Sequence, residues 1–255
     1  VLVLVAQLTA ELGGVPLALL SRKTVRTWWA LHEGKVSRGE WRPATANQRL
    51  GLLRHVYNVA LANGDVDHNP TLGLRKARTD PSTLPTEHLT DAERDRVLEA
   101  CATASLDLHV AALLALYYGA RRNTVLVTKI QDIAWDRGVL TLHATKTRAR
   151  REHPIHPRVD APLRALCAAR EGAEALVRYT PAGLTHAWAR VVRRLGLGRR
   201  FRFHGLRHDF GTRLFAGTKD LRLTQEALGH ARVAQTERYT HVAAGAVNGA
   251  LLGLR

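Results

Sequence analysis

Methionine is absent from all 255 residues, so the chain starts without an initiator and Val1 is not expected to be a true domain edge. The run Val1–Ala6 lacks the basic lead of a secretory signal and reads as the remnant of a helix. Cysteine is scarce. Cys101 and Cys167 sit in apolar helical contexts without C-x-x-C spacing, which argues against a disulfide framework or a zinc site and for a reducing, cytoplasmic compartment. Long apolar runs are missing as well. Val1–Ala6 and His109–Tyr118 fall well short of the ~20 residues a bilayer span requires, so no membrane partner is expected. Acidic residues are few: 22 Asp+Glu stand against 38 Lys+Arg, leaving a formal net charge of +16. That surplus favours a polyanionic partner, nucleic acid first, because neutralised phosphates release counterions. What is present is globular. With 45% hydrophobic and 24% charged residues the chain can bury one large core or two ordinary ones, which excludes disorder as its main state.

The clearest break in composition is Lys76–Pro85, KARTDPSTLP, which combines charge, prolines and small polar residues and reads as a linker. Domains are expected at residues 1–76 and 86–255, with 77–85 between them. Upstream, a helix is predicted around Thr24–His32. A second is capped by Thr45-Ala46-Asn47, repeats Leu50, Leu53, Val56, Tyr57, Ala60 and Leu61 with helical period, and stops at Asn63-Gly64. Downstream, Thr90 and Glu93 have capping-box spacing and open a helix through Ala100; an apolar helix follows at Leu106–Tyr118. The alternation of Gly138–His143, with Glu152–Ile155 as its returning partner, predicts a short antiparallel sheet within Ile133–Ile155. From Ala161 the pattern is helical again, broken at Thr180-Pro181, Gly196–Gly198 and Gly229. The expected fold class is mainly α within α+β: an all-helical N-terminal domain, then a helical domain carrying a small antiparallel sheet.

Several polar residues of the second domain fall in a telling order. Arg121 follows Gly119 at the end of an apolar helix. Lys146 lies just after a strand, His204-Gly205-Leu206-Arg207 begins a helix, and His230 closes Leu228-Gly229-His230. Tyr239 sits in Thr236-Glu237-Arg238-Tyr239-Thr240-His241. The order G-x-R, strand Lys, H-x-x-R, L-G-H and T-x-x-Y-T-H resembles the tyrosine recombinases of the phage-integrase type. Asn47-Gln48-Arg49-Leu50 and Asp67-His68-Asn69-Pro70 look like that family's core-binding domain, and the chain from about Leu84 like its catalytic domain.

The chemistry explains why these residue types belong together. A tyrosyl hydroxyl has a reference pKa of ~10, so ionising it at neutral pH costs roughly 4 kcal/mol, which basic neighbours must offset. As Tyr239 attacks a phosphodiester, charge builds on the nonbridging oxygens, and the guanidinium forks of Arg121 and Arg207 match that geometry. His204 takes or orients the tyrosyl proton, Lys146 protonates the leaving 5′-oxygen, and His230 donates to the phosphate. The resemblance implies a 3′-phosphotyrosyl intermediate. Bond energy is conserved, so no cofactor, ATP or metal is implied. Read singly, Tyr239 is a core aromatic, His204 and Arg207 a solvated helix start, and Lys146 part of a charge run with Arg148, Arg150 and Arg151.

Arg122 rivals Arg121, and only the G-x-R register separates them. Thr124 stands where the family usually carries an acidic residue, so support for Arg121 is sought from Asp132 or Asp209. His241 reads as a supporting group, and His208 as structural or supporting. Phosphate contacts are expected from Lys23, Arg26, Arg49, Arg54, Arg75 and Lys76, and from Arg148, Arg150 and Arg151 near the sheet. The resemblance implies a clamp around double-stranded DNA recombination sites. It also implies a homotetramer on paired sites, a monomer or weak oligomer without DNA, and a nucleoid-associated cytoplasmic location. The residues after Tyr239 read as a tail helix docking on a neighbouring protomer or on its own domain. Two alternatives stand beside this reading, a type IB-like topoisomerase and a catalytically decayed DNA-binding protein.

Overall fold

The computed structural model describes residues 2–78, 88–143, 150–168, 170, 174–197 and 201–229. The chain divides into two units, Val1–Thr83 and Leu84–Arg255.

In the first unit, α1 (Leu2–Glu11), α2 (Arg22–Ser37) and α3 (Pro43–Asn63) enclose a core of Leu8, Val25, Trp28, Trp29, Leu50, Leu53 and Tyr57. Ser21 starts α2 by accepting the Thr24 N–H at 3.1 Å. The start of α3 differs from expectation. Pro43, whose ring presets a helical φ and whose missing N–H costs nothing in a first turn, opens the helix ahead of Thr45. Asn47 therefore lies inside it, donating to the Ala77 carbonyl (2.9 Å) and accepting the Ala77 N–H (2.8 Å). Gly64 ends α3 at φ 80°. Leu61, expected on the core face, is exposed.

Glu11 is the polar centre of this unit. Its Oε2 accepts from Trp28 Nε1 (3.1 Å) and its Oε1 from Arg49, and His32 Nε2 lies 3.2 Å from Oε2. Arg49, expected at phosphate, is instead buried at 8% exposure. Besides Glu11 it donates to Gln7 (3.0 Å), and its guanidinium lies 4.5 Å from the Trp41 ring centroid. A cation this enclosed needs its local partners, and they hold it in the core. Arg54 is likewise engaged with backbone, donating to the carbonyls of Thr71 (3.3 Å) and Leu74 (2.9 Å).

The second unit is built around a helix apolar on every side. Such a helix is driven to the centre, where all its faces can leave water. That helix is α5 (Leu106–Tyr118), and α4 (Asp91–Ala104), α7 (Pro157–Cys167), α8 (Pro181–Arg194) and α9 (Phe203–Thr218) pack against it. The expected capping box at Thr90 and Glu93 is present, with bonds of 2.8 and 3.3 Å, but α4 runs on to Ala104. Thr180 accepts the Gly183 N–H at 3.0 Å, so Thr180-Pro181 is a helix start as well as a break. A six-residue α6 (Arg122–Val127) precedes the sheet, and α10 (Leu221–Leu228) follows α9.

The sheet is antiparallel in the order β1 (Ile133–Ala134), β2 (Val139–His143), β3 (Arg150–Pro154). Leu140 and Leu142 of β2 are buried, and Leu142 pairs with Arg151, Leu140 with His153. Directly paired residues share a face, so Arg151 and His153 point to the core side of β3. No helix among the described residues is long and apolar enough to cross a membrane.

Candidate active site

Helix α5 stops because Gly119 takes φ 60°, which a side-chain-bearing residue adopts only at a cost. There is no room for a side chain either. A Cβ at Gly119 would lie 2.6 Å from Phe210 Cδ1 and 3.0 Å from Leu228 Cδ2. The bare carbonyl of Gly119 accepts a hydrogen bond from Arg207 of α9, and Arg207 donates a second to the carbonyl of Leu228, the last residue of α10. Arg207 is only 4% exposed. Its charge is met by the carbonyls that close two helices, the negative ends of their dipoles. One guanidinium thus joins the backbone two residues before Arg121 to the backbone two residues before His230.

Arg121 is half-buried and is the N-cap residue of α6. Its rival Arg122 is exposed and donates to the Thr185 hydroxyl of α8 at 3.0 Å. Thr124 is buried. Asp132, considered as support for Arg121, accepts the Lys129 N–H and lies 2.8 Å from His143 Nε2. The other candidate, Asp209, is fully buried and accepts from Leu89 N–H (2.8 Å), Arg94 (3.1 Å) and Arg213 Nε (2.8 Å). Those bonds fix α9 to the start of α4, and α9 carries the H-x-x-R residues. His204 is exposed in the first turn of α9, with the His208 ring 4.8 Å away and nearly perpendicular.

The exit of β3 is tied to α5. Tyr118 donates to the Pro154 carbonyl (3.2 Å) and accepts the His156 N–H (2.8 Å). Burial pushes the Tyr118 hydroxyl up, and burial with the nearby Arg151 charge holds His153 below the usual imidazole range. Arg151, expected to track phosphate, instead donates to the carbonyls of Glu226 and Ala227. Lys23, Arg26, Arg75, Lys76 and Arg150 are exposed. Lys146, Arg148, His230, Tyr239 and His241 lie outside the described residues.

Residues 87–245 match the phage integrase family, more than half of the chain. Over 240 residues the chain is 30% identical to tyrosine recombinase XerC of Pseudomonas aeruginosa, covering 88% of this chain and 75% of that one. The chain belongs to the phage integrase family. XerC of Xanthomonas campestris pv. campestris is 30% identical over 211 residues, 78% of this chain and 64% of that one, so the match spans less than two thirds of that relative. The fold is similar to a crystal structure of a lambda integrase dimer bound to a COC' core site. That match has TM-score 0.69 and 20% identity and covers 93% of this chain and 70% of that one. A lambda integrase tetramer bound to a Holliday junction is also similar, with TM-score 0.67, 20% identity and coverage of 91% and 71%.

The phage integrase match takes in G-x-R, H-x-x-R, L-G-H and T-x-x-Y-T-H together. Sequence reasoning missed the fastening of α9 through Asp209, Arg94 and Arg213, and the cap that Arg151 places on α10. The i,i+4 spacing of Asp209 and Arg213 was a legible sign of the first. Nothing local pointed to the second.

Proposed function

We propose that this chain is a site-specific DNA recombinase that cuts and rejoins strands through Tyr239. The observation that carries the reading is Arg207: one buried guanidinium gathers α9, the end of α5 ahead of Arg121 and the end of α10 ahead of His230. In this reading the Tyr239 oxygen attacks phosphorus and the 5′-oxygen leaves, taking a proton from Lys146, so a 3′-phosphotyrosyl bond replaces the phosphodiester. Attack by a 5′-hydroxyl of another strand reverses the exchange and releases the tyrosine. Each step trades one phosphate ester for another, so neither ATP nor a metal is required. Arg121 and Arg207 neutralise the charge that develops on the nonbridging oxygens, His204 handles the tyrosyl proton, and His230 donates to the phosphate.

Residues 1–76 would bind the duplex and residues 86–255 would perform the chemistry. The phosphate contacts in this reading are Lys23, Arg26, Arg75, Lys76, Arg148 and Arg150; Arg49, Arg54 and Arg151 leave the set because protein groups hold them. The working form is a homotetramer on two paired sites, in the compartment that holds the DNA, the cytoplasm.

A nicked suicide duplex tests this. The parent chain should leave an SDS-resistant protein–DNA adduct, and Tyr239→Phe should abolish the adduct while duplex affinity stays within a few-fold. An adduct persisting in Tyr239→Phe removes Tyr239 from its role. Binding without any adduct in the parent identifies a decayed binder, and efficient relaxation of a plasmid lacking a recombination site identifies a topoisomerase.

A further inference from the structure

The alternation of β3 turns Arg151 to the core side of the sheet, opposite Leu142. There its Nη1 donates to the carbonyls of Glu226 and Ala227, the latter at 3.3 Å. Carbonyls in the last turn of a helix lack the usual i+4 N–H partner and form the negative end of its dipole; here the Glu226 carbonyl also accepts the Gly229 N–H at 2.9 Å. The next carbonyl, that of Leu228, is taken by Arg207. Three successive carbonyls at the end of α10 are therefore bound by two guanidinium groups, one from the hairpin and one from α9.

Gly229 completes the arrangement. At φ 61° it makes the left-handed turn that ends α10, and a Cβ there would meet the Arg151 guanidinium at 3.0–3.1 Å. With no side chain there, the guanidinium packs closely against the Gly229 backbone. At its other end β3 is fastened to the last residue of α5 through Tyr118, Pro154 and His156. The strand is thus pinned both to α5, ahead of Gly119, and to α10, ahead of His230.

We propose that Arg151 is a positioning residue: it locks the end of α10, and with it the Leu228-Gly229 turn that precedes His230 in the chain, to the β2–β3 hairpin, so that the two are set against Arg207 together. The inference rests on the recombinase reading above. Arg151 acts through the backbone it holds and makes no contact with phosphate.

The test uses the full chain in single-turnover cleavage of the nicked suicide duplex at saturating DNA. Arg151→Ala should slow adduct formation roughly 10–100-fold, the scale of a displacement of about 1 Å among reacting groups. Its Kd, the salt dependence of that Kd and the final fraction of protein trapped as adduct should match the parent. Arg151→Lys, which keeps a cation at the helix end, should recover a large part of the rate. Gly229→Ala should also be slow, and the two changes combined should cost less than the product of their separate effects, because both disturb one contact.

A phosphate contact would behave otherwise: weaker binding, a salt slope reduced by about one and an unchanged rate at saturation. That result overturns the proposal. So does a lower trapped fraction with an unchanged rate, which marks a residue needed only for folding. An active parent with a fully active Arg151→Ala removes this inference alone, whereas a parent that forms no adduct removes the recombinase reading and this inference with it.

Discussion

Asp209 gives the sharpest test of what holds the second unit together. Its carboxylate is 0% exposed and accepts from the Leu89 N–H, Arg94 and Arg213, whose arginine side chains are 15% and 34% exposed. Asp209→Ala leaves all three donors without this acceptor. Breaking a buried ion pair from one side costs ~3–5 kcal/mol, and an unsatisfied buried N–H a further ~1–3 kcal/mol. Both arginines reach solvent in part and will recover some hydration, which brings the expected net loss to about 3 kcal/mol. For a unit of this size each kcal/mol moves the melting temperature by ~2–4 °C, so its transition should fall by roughly 6–12 °C. Asp209→Asn keeps one good acceptor and should lose about half as much. Calorimetry and urea unfolding of the second unit's transition provide the measurement, with Asp160→Ala as control. Asp160 pairs with Arg164 across one turn of α7 at 3.0 Å, largely in water, and its loss should cost only a few tenths of a kcal/mol. If Asp209→Ala loses less than about 1 kcal/mol, or no more than the control, the buried network is not what fastens α9.

Two further predictions follow from the geometry. Arg121→Ala should slow adduct formation by ~10²–10³, the usual loss for one preorganised donor, whereas Arg122→Ala removes an exposed arginine bonded to Thr185 and should stay within a few-fold; the reverse pattern shifts the active-site register by one residue. Burial pushes the Cys101 thiol up to about 12, so between pH 9 and 12 the unfolded chain ionises while the folded chain keeps its proton. Stability should therefore fall as pH rises through that window, by up to ~1.4 kcal/mol per unit. Urea midpoints measured from pH 8 to 10 should decline less steeply in Cys101→Val, and an unchanged slope refutes the assignment.

The sequence by itself determined many features set by near neighbours, although it capped α3 at Thr45 where Pro43 opens the helix. The capping box at Thr90 and Glu93, the stop at Asn63-Gly64, the apolar helix Leu106–Tyr118 and the antiparallel hairpin all depend on contacts a few residues apart, or on an alternation that a reader of the chain can see. The order of G-x-R, H-x-x-R, L-G-H and T-x-x-Y-T-H was equally plain, and it pointed to the family. Tertiary structure decided what each cation does. Arg49, Arg54 and Arg151 look like Lys23 and Arg26 on paper, since a long, flexible, charged side chain carries no local mark of its partner. Arg49 was drawn inward by Glu11, 38 residues away, and Arg151 by carbonyls 75 and 76 residues away. A guanidinium goes to water unless distant backbone or carboxylate arrives to replace that water, and only the folded chain brings those groups to it.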